Sequence, residues 1–309
     1  ESKPFTLVES NRLEDDYFWY KKRRDYRHKA ASEGFFESIH FVFDEKKILN
    51  KYGFETLKGP KDLLNPIAKT LDTLRPTLLT NLLKAASANA KNGYSSIRLF
   101  EVGSVFSSTR DESVKMAFLY SGNSSKDSVL NSGKPTKIDF GHFVQKVSNI
   151  IGSFELVENE TSHNLSHKYQ SASVVQNSQK IGEIFCVHPT VQEEYDLDTT
   201  FMCELDFKLL DNSLKTAKTR SKYQSSQKDL SLLVPKTMKF ATIKEIIDEI
   251  KPDEVVKFYP VDKYSDEELG ENVSLTIRFI LQREDRTLGD EDITSSMETI
   301  LKELKNKLN

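Results

Sequence analysis

Cysteine is scarce in this chain, with two residues, Cys186 and Cys203, among 309. Two thiols exclude a disulfide framework and a cysteine-rich zinc site. Long apolar runs are missing too. No segment approaches the ~20 apolar residues that a bilayer-spanning helix needs, so no membrane partner is expected. The start, Glu1-Ser2-Lys3-Pro4, has no basic stretch followed by an apolar one, so it does not read as a secretory leader. It also has no Met, which suggests a piece of a longer chain or a processed product; a cytoplasmic protein is the default expectation. Neither GxxxxGK[ST] nor GxGxxG occurs, so no phosphate loop is expected. His163 and His167 lie four apart, as zinc ligands on a helix can, but no HExxH glutamate accompanies them. In Cys186-Val187-His188 a thiol neighbours an imidazole, but strand alternation or the turn at Pro189 separates them, and a small buried Cys is the better reading. Arg98 and Glu101 are candidates for a surface or cleft ion pair, a common feature that says little alone. No catalytic constellation emerges, and no metal or cofactor is expected in the chain.

What is present is charge. Charged residues make up 29% and hydrophobic ones 37%, enough for a core beneath a wet surface. The length suits two domains. The net charge of −3 excludes a uniformly basic nucleic-acid binder, yet the charge is uneven. Lys21 to Lys29 holds six Lys/Arg and one acid; Lys208 to Lys228 holds the same. Such stripes meet phosphate or coat a solvated surface, and composition alone leaves both readings open.

Periodicity predicts a helix over 11–33, with Leu13, Tyr17, Tyr20 and Arg24 on one side. Aromatic and β-branched alternation predicts a strand from Phe35 to Phe43. A helix near Pro76 carries Leu78, Leu79, Leu82, Leu83 and Ala86. Ile97 to Phe106 reads as strand interrupted at Gly103, and Met116 to Tyr120 as another short strand. Residues 122–136 read as loop, followed by a helix capped by Asp139. Residues 171–207 alternate like strands, with a turn near Asn177-Ser178 and a short helix at Pro189. A linker covers 209–219. Beyond it come a strand (Asp229–Val234), a helix with a capping box at Thr242 and Glu245, strands at Val255–Tyr259 and Val273–Leu281, and a last helix starting at Thr287-x-x-Asp290. That helix lines up Ile293, Met297, Ile300, Leu301, Leu304 and Leu308. The order β-α-β-β-α is most of a ferredoxin-like, split βαβ unit whose final strand is missing or very short.

Six stretches, in order and spanning nearly the whole chain, resemble the beta subunit of bacterial phenylalanyl-tRNA synthetase. They are Arg23-Arg24-Asp25-Tyr26-Arg27 through Ile39; Leu64-Asn65-Pro66 with Leu74-Arg75-Pro76; Ile97 through Phe106; Ile181-Gly182-Glu183 through Pro189; Lys228-Asp229-Leu230-Ser231; and Ser274 through Phe279 with Arg286-Thr287-Leu288. The resemblance covers the C-terminal part of that subunit. It implies an α+β chain in which residues 1–209 form a class II synthetase-like antiparallel sheet domain that is not catalytic, in keeping with the missing FRxE and GxGxxxR. Residues 210–217 would be a linker, and 218–309 a ferredoxin-fold anticodon-binding domain.

The same resemblance implies partners and a site. The partners are tRNA(Phe) and a catalytic alpha subunit in an (αβ)2 assembly, with ATP and Mg2+ belonging to the alpha subunit and residues 11–33 supplying interface helix. The family's Asp-x-Tyr after the second strand, and its Ser opening the next, match Asp262-Lys263-Tyr264 and Ser274. Tyr264 would stack a base, and Asp262 and Ser274 would bond base edges. Lys222 and Lys228, in the basic stretch, join them as tRNA-binding candidates, and Tyr259 is the rival aromatic. The family's closing Gly and Leu-Arg segment has no counterpart in Lys305-Asn306-Lys307-Leu308-Asn309. A protein-interaction module without direct tRNA contact is the alternative reading.

Overall fold

The computed structural model describes residues 16–58, 62–63, 65–66, 68–158, 163–211, 213 and 220–308. The chain divides into two compact units, Glu1–Leu214 and Lys215–Asn309. The expected helix residues before Asp16, Leu64, and linker residues 212 and 214–217 lie outside the described residues.

In the first unit the elements run α1 (Asp16–Ser32), β1 (Phe36–Glu37), β2 (Phe43–Asp44), α2 (Lys46–Lys51), β3 (Thr73–Leu74), α3 (Leu79–Lys91), β4 (Ser96–Phe106), β5 (Glu112–Gly122), α4 (Phe140–Ile151), β6 (Glu155–Glu158), β7 (Ser166–Gln176), β8 (Gln179–Val187), α5 (Pro189–Glu194) and β9 (Thr200–Asp206). A seven-stranded sheet has the order β1-β4-β5-β9-β8-β7-β6. Only its edge pair β1/β4 is parallel; the rest is antiparallel. β2 and β3 pair separately.

Both faces of this sheet are covered, which is why β5 reads as the continuous apolar run Met116–Tyr120 rather than an alternation. On one face Tyr26 and Ala30 of α1 and Phe143 and Val147 of α4 pack with Phe118 and Tyr120. On the other, Leu79, Leu82, Leu83 and Ala86 of α3 pack with Leu119, Phe185 and Met202. Asp139 caps α4 as expected, accepting from the His142 amide at 2.8 Å. Asn177 and Ser178, at φ 52° and 61°, make the tight left-handed turn that joins β7 to β8.

Several expectations are corrected. The stripe of α1 that enters the core is Lys22, Tyr26 and Ala30, whereas Tyr17 and Tyr20 are exposed. Lys22 reaches the carbonyl of Lys208, and the Tyr26 hydroxyl donates to the carbonyl of Asp211; these anchors select the buried side of a helix whose apolar residues form no single stripe. Phe35–Phe43 is not one strand. It splits into β1 and β2, which join different sheets. Gly103 does not interrupt β4, which is continuous. A Cβ there would lie 2.4 Å from a guanidinium nitrogen of Arg75, so this glycine gives room to a buried side chain. Glu101 does not pair with Arg98. Residues three apart on a strand face opposite ways, so Glu101 meets Arg75 and His40 while Arg98 lies over the Tyr120 ring. Leu210 is buried in the first core and the Asp211 amide donates to Gln176.

The second unit runs β10 (Ser226–Pro235), α6 (Phe240–Ile250), β11 (Val255–Tyr264), β12 (Asn272–Leu281) and α7 (Asp290–Leu308). Its sheet has the order β10-β12-β11, antiparallel throughout, as a split βαβ fold requires of its first three strands. β12 alternates strictly, burying Val273, Leu275, Ile277, Phe279 and Leu281. Ile243 and Ile247 of α6 and Ile293, Ile300 and Leu304 of α7 cover that face. Each such side chain contributes ~1.5–3 kcal/mol when buried. Among the described residues no strand follows α7.

Both predicted starts of helices here move. Thr242 does not cap α6; the N-cap is Lys239, without a side-chain cap bond. Met238 and Phe240 pack on the core and draw the first turn upstream. Thr287 does not begin α7. The Ile293 amide bonds the carbonyl of Gly289, and Asp292 accepts from the Gly289 amide, so the helix starts at Asp290.

Candidate nucleic-acid interface

The helices cover one face of the second unit's sheet, and the other face is open. Residues directly opposite in an antiparallel ladder share a face, so register assigns its occupants. Tyr264 stands opposite Ser274, and Ser274 opposite Leu233 on β10. Asp262 stands opposite Thr276, and Thr276 opposite Ser231. Tyr259 stands opposite Arg278, and Arg278 opposite Asp229. Three cross-strand rows result, ~6.6 Å apart at 3.3 Å per residue.

Asp262 and Tyr264 are not in a loop after the second strand, as expected, but in β11 itself. The strand runs through Pro260, which lacks a backbone donor and is tolerated because β11 lies at the edge of the sheet. A register shift falls between Pro260 and Asp262. This bulge resets the alternation, so Tyr259 and Tyr264, an odd number apart, project on the same face. Tyr264 is 54% exposed and Leu233 62%. The two flank Ser274 of the central strand, one on each side, on the face the helices leave uncovered.

Electrostatics orient these groups. The Tyr264 hydroxyl donates to Asp266 Oδ2 at 2.7 Å. That bond raises the phenol pKa and lowers that of the carboxyl, which the Glu267 amide also holds. The ring is thereby tethered at its tip while remaining 54% exposed. The Ser231 and Thr276 hydroxyls meet at 2.9 Å. Arg278 gives Nε and Nη2 to the two oxygens of Asp229 at 2.8 and 2.7 Å. These bonds raise the Arg278 pKa and lower that of Asp229. A hollow of about 360 Å³ lined by Lys236, Ser265, Asp266 and Glu267 adjoins the Tyr264 end.

Asp262, Tyr264 and Ser274 are thus brought together, and the two predicted lysines are not. Lys228 pairs with Phe279, so it projects to the helix side, where it lines a groove with Ile293, Met297 and Leu301. Lys222 lies beyond the opposite end of the sheet, beside Tyr223, whose carbonyl accepts from Gln282. The alternation of β12 marked Thr276 and Arg278 as open-face residues, but the ladder partners Ser231 and Asp229 required the register. In the first unit His163 is a buried histidine paired with Glu183 at 2.7 Å. Cys186 is a buried thiol whose pKa desolvation raises, and His188 caps α5 through the Thr190 amide. Among the described residues no group of three or more His, Cys, Asp or Glu is placed to hold a metal, and no helix is long and apolar enough to cross a membrane.

The fold and this face describe a two-unit α+β chain that ends in a ferredoxin-fold domain of the anticodon-binding type. Comparison with known proteins agrees. The family model described as phenylalanyl tRNA synthetase beta chain CLM domain matches residues 6–207, and that described as ferredoxin-fold anticodon binding domain matches 221–309. The chain belongs to the phenylalanyl-tRNA synthetase beta subunit family. Among curated relatives, the phenylalanine–tRNA ligase beta subunit of Sulfurimonas denitrificans is 59% identical, with 99% of this chain and 40% of the relative covered. That of Wolinella succinogenes is 37% identical, with 99% and 39% covered. The chain therefore spans about 40% of the length of these relatives. Among solved structures, a pyrrolysyl tRNA synthetase of Desulfitobacterium hafniense aligns with TM-score 0.46 at 13% identity, covering 62% of this chain and 65% of that one.

Proposed function

We propose that this chain is the portion of a phenylalanine–tRNA ligase beta subunit that binds the anticodon region of tRNA(Phe) on the open sheet face of its second unit. The observation that carries the reading is the grouping of Tyr264, Ser274 and Asp262 on one face that, among the described residues of this unit, has no helix over it. Splayed anticodon bases are recognised by stacking on aromatic rings and by hydrogen bonds to their edges. Tyr264 supplies the ring, Ser274 a donor and acceptor, and Asp262 an acceptor for exocyclic amines.

The first unit acts as a partner to a catalytic alpha subunit in an (αβ)2 assembly. Its support is the apolar surface that α1 and the segment after it expose: Tyr17, Tyr20, Phe36, Ile39 and Phe41, each more than half exposed. Scattered apolar residues are ordinary on a monomer, but this many within one short stretch fit a protein interface. ATP, Mg2+ and the activation of phenylalanine belong to the alpha subunit, and this chain alone activates no amino acid. The assembly works in the cytoplasm.

The test is Tyr264→Ala, a change at an exposed side chain that leaves the core untouched. It should weaken binding of a labelled tRNA(Phe) transcript by ~1–3 kcal/mol, with the melting midpoint unchanged. Equal affinity for the two proteins at the same salt would refute the assignment and favour a protein-interaction module.

A further inference from the structure

The third row of the open face, Tyr259–Arg278–Asp229, has no part in the reading above. Arg278 stands four residues along β12 from Ser274, ~13 Å away at 3.3 Å per residue, with the polar row Asp262–Thr276–Ser231 between. The arginine lies on the central strand. Asp229 on β10 holds two of its nitrogens, and Tyr259 on β11 stands directly opposite. Both charged side chains remain partly exposed, Arg278 at 36% and Asp229 at 41%.

A cross-strand ion pair on a wet surface contributes only ~0.2–1 kcal/mol to a fold. Two further features give this one another use. The two-pronged carboxylate contact fixes the planar guanidinium in one orientation, and a fixed guanidinium plane stacks a nucleobase as an aromatic ring does. The neighbouring ring is not free for that role, because the Lys257 ammonium sits 5.1 Å from the Tyr259 centroid.

We infer that Arg278 is a second nucleotide-stacking position on this face, oriented by Asp229 and braced by Tyr259, and that it receives an unpaired base two rows from the one over Tyr264. The ligand class is single-stranded RNA, and the inference rests on the RNA-binding reading of Tyr264. Because Asp229 already neutralises the guanidinium, the contact is to a base face and not to a phosphate, so its contribution is independent of salt. Phosphate contacts behave oppositely, each adding about one to the slope of log affinity against log salt.

The test compares Arg278→Lys, Tyr264→Ala and the parent chain for binding of a fluorescently labelled tRNA(Phe) transcript at two salt concentrations. Arg278→Lys keeps the charge opposite Asp229 and removes the plane. The expected result is a loss of about fivefold or more, by the same factor at both salts, with an unchanged melting midpoint. Binding within twofold of the parent overturns the inference, as does a loss confined to low salt, which would mark a phosphate contact. If Arg278→Lys melts early, the pair Arg278→Gln with Asp229→Asn supplies a neutral hydrogen-bonded replacement. The same loss of affinity is then expected, and parent-like binding overturns the inference. Weak binding by Tyr264→Ala beside parent-like binding by the Arg278 variants removes the second position alone. Parent-like binding by all of them removes the RNA reading with it.

Discussion

Replacing Glu101 by Gln tests how the first unit holds its interior charges. Arg75 and Glu101 are each 2% exposed. Arg75 Nη1 meets Glu101 Oε1 at 2.8 Å, its Nε donates to the carbonyl of Ser104 at 2.9 Å, and the other oxygen of Glu101 meets His40 Nδ1 at 2.6 Å. Gly103 leaves the guanidinium the space it fills. Gln is nearly the size of Glu, so the change opens no cavity. What it removes is the counter-charge of a cation that cannot reach water. Removing one partner of a buried pair costs ~3–5 kcal/mol, whereas replacing both by apolar residues of similar volume is often neutral. For a unit of this size each kcal/mol lowers the melting midpoint by ~2–4 °C, so Glu101→Gln should lower it by ~6–20 °C. The assay is direct, because Trp19 is the chain's single tryptophan and packs against the first core. Its fluorescence therefore follows this unit alone. Arg75→Met combined with Glu101→Leu should recover at least half of the loss. A shift of less than ~3 °C for Glu101→Gln would refute the reasoning, since the guanidinium would then be finding water or another acceptor.

Two further outcomes follow from the second unit. Leu304 is fully buried under the sheet, so Leu304→Ala should cost ~2–5 kcal/mol and lower the circular-dichroism melt of this unit by ~8 °C or more; a shift under ~3 °C would place α7 off the sheet. Asp292 accepts two bonds from Arg286 and one from the Gly289 amide, which take its carboxyl from the ordinary 3.8 down to about 2. A depressed carboxylate stabilises the fold above its unfolded pKa, and that contribution fades as pH falls from about 4 towards 2. An NMR titration should find the low value in the parent and a return towards 3.8 in Arg286→Gln; an ordinary value in the parent would refute the pairing.

Much of this architecture was legible in the sequence, and the failures have physical causes. The apolar stripe of α7, the cap of α4 and the turn at Asn177-Ser178 depend on neighbours within a few residues, and all three stand. The buried side of α1 depends on anchors at Lys208 and Asp211, far along the chain, so local periodicity selected Tyr17 and Tyr20, the side left in water. Gly103 looked like a break because its neighbour in space, Arg75, is distant in sequence. Thr242 and Glu245 match a capping box, yet the packing of Met238 and Phe240 outweighs a cap bond worth ~1 kcal/mol.

The open face of the second unit shows the same division between local and distant information. The strict alternation of β12 declares which side the helices cover, so Ser274, Thr276 and Arg278 were readable as uncovered. β11 carries no such declaration. Counting by twos from Tyr259 reaches Val261 and Lys263, not Asp262 and Tyr264, and only the shift after Pro260 restores the latter two to the open side. Lys228 and Asp229 make the same point. They are adjacent, and register alone decides that the acid meets Arg278 while the lysine turns to α7. Which residues occupy this face is therefore set by a bulge and a ladder register. Removing the bulge, by deleting its extra residue Val261, would turn Tyr264 and Asp262 towards the helices while leaving Ser274 and Arg278 on the open face.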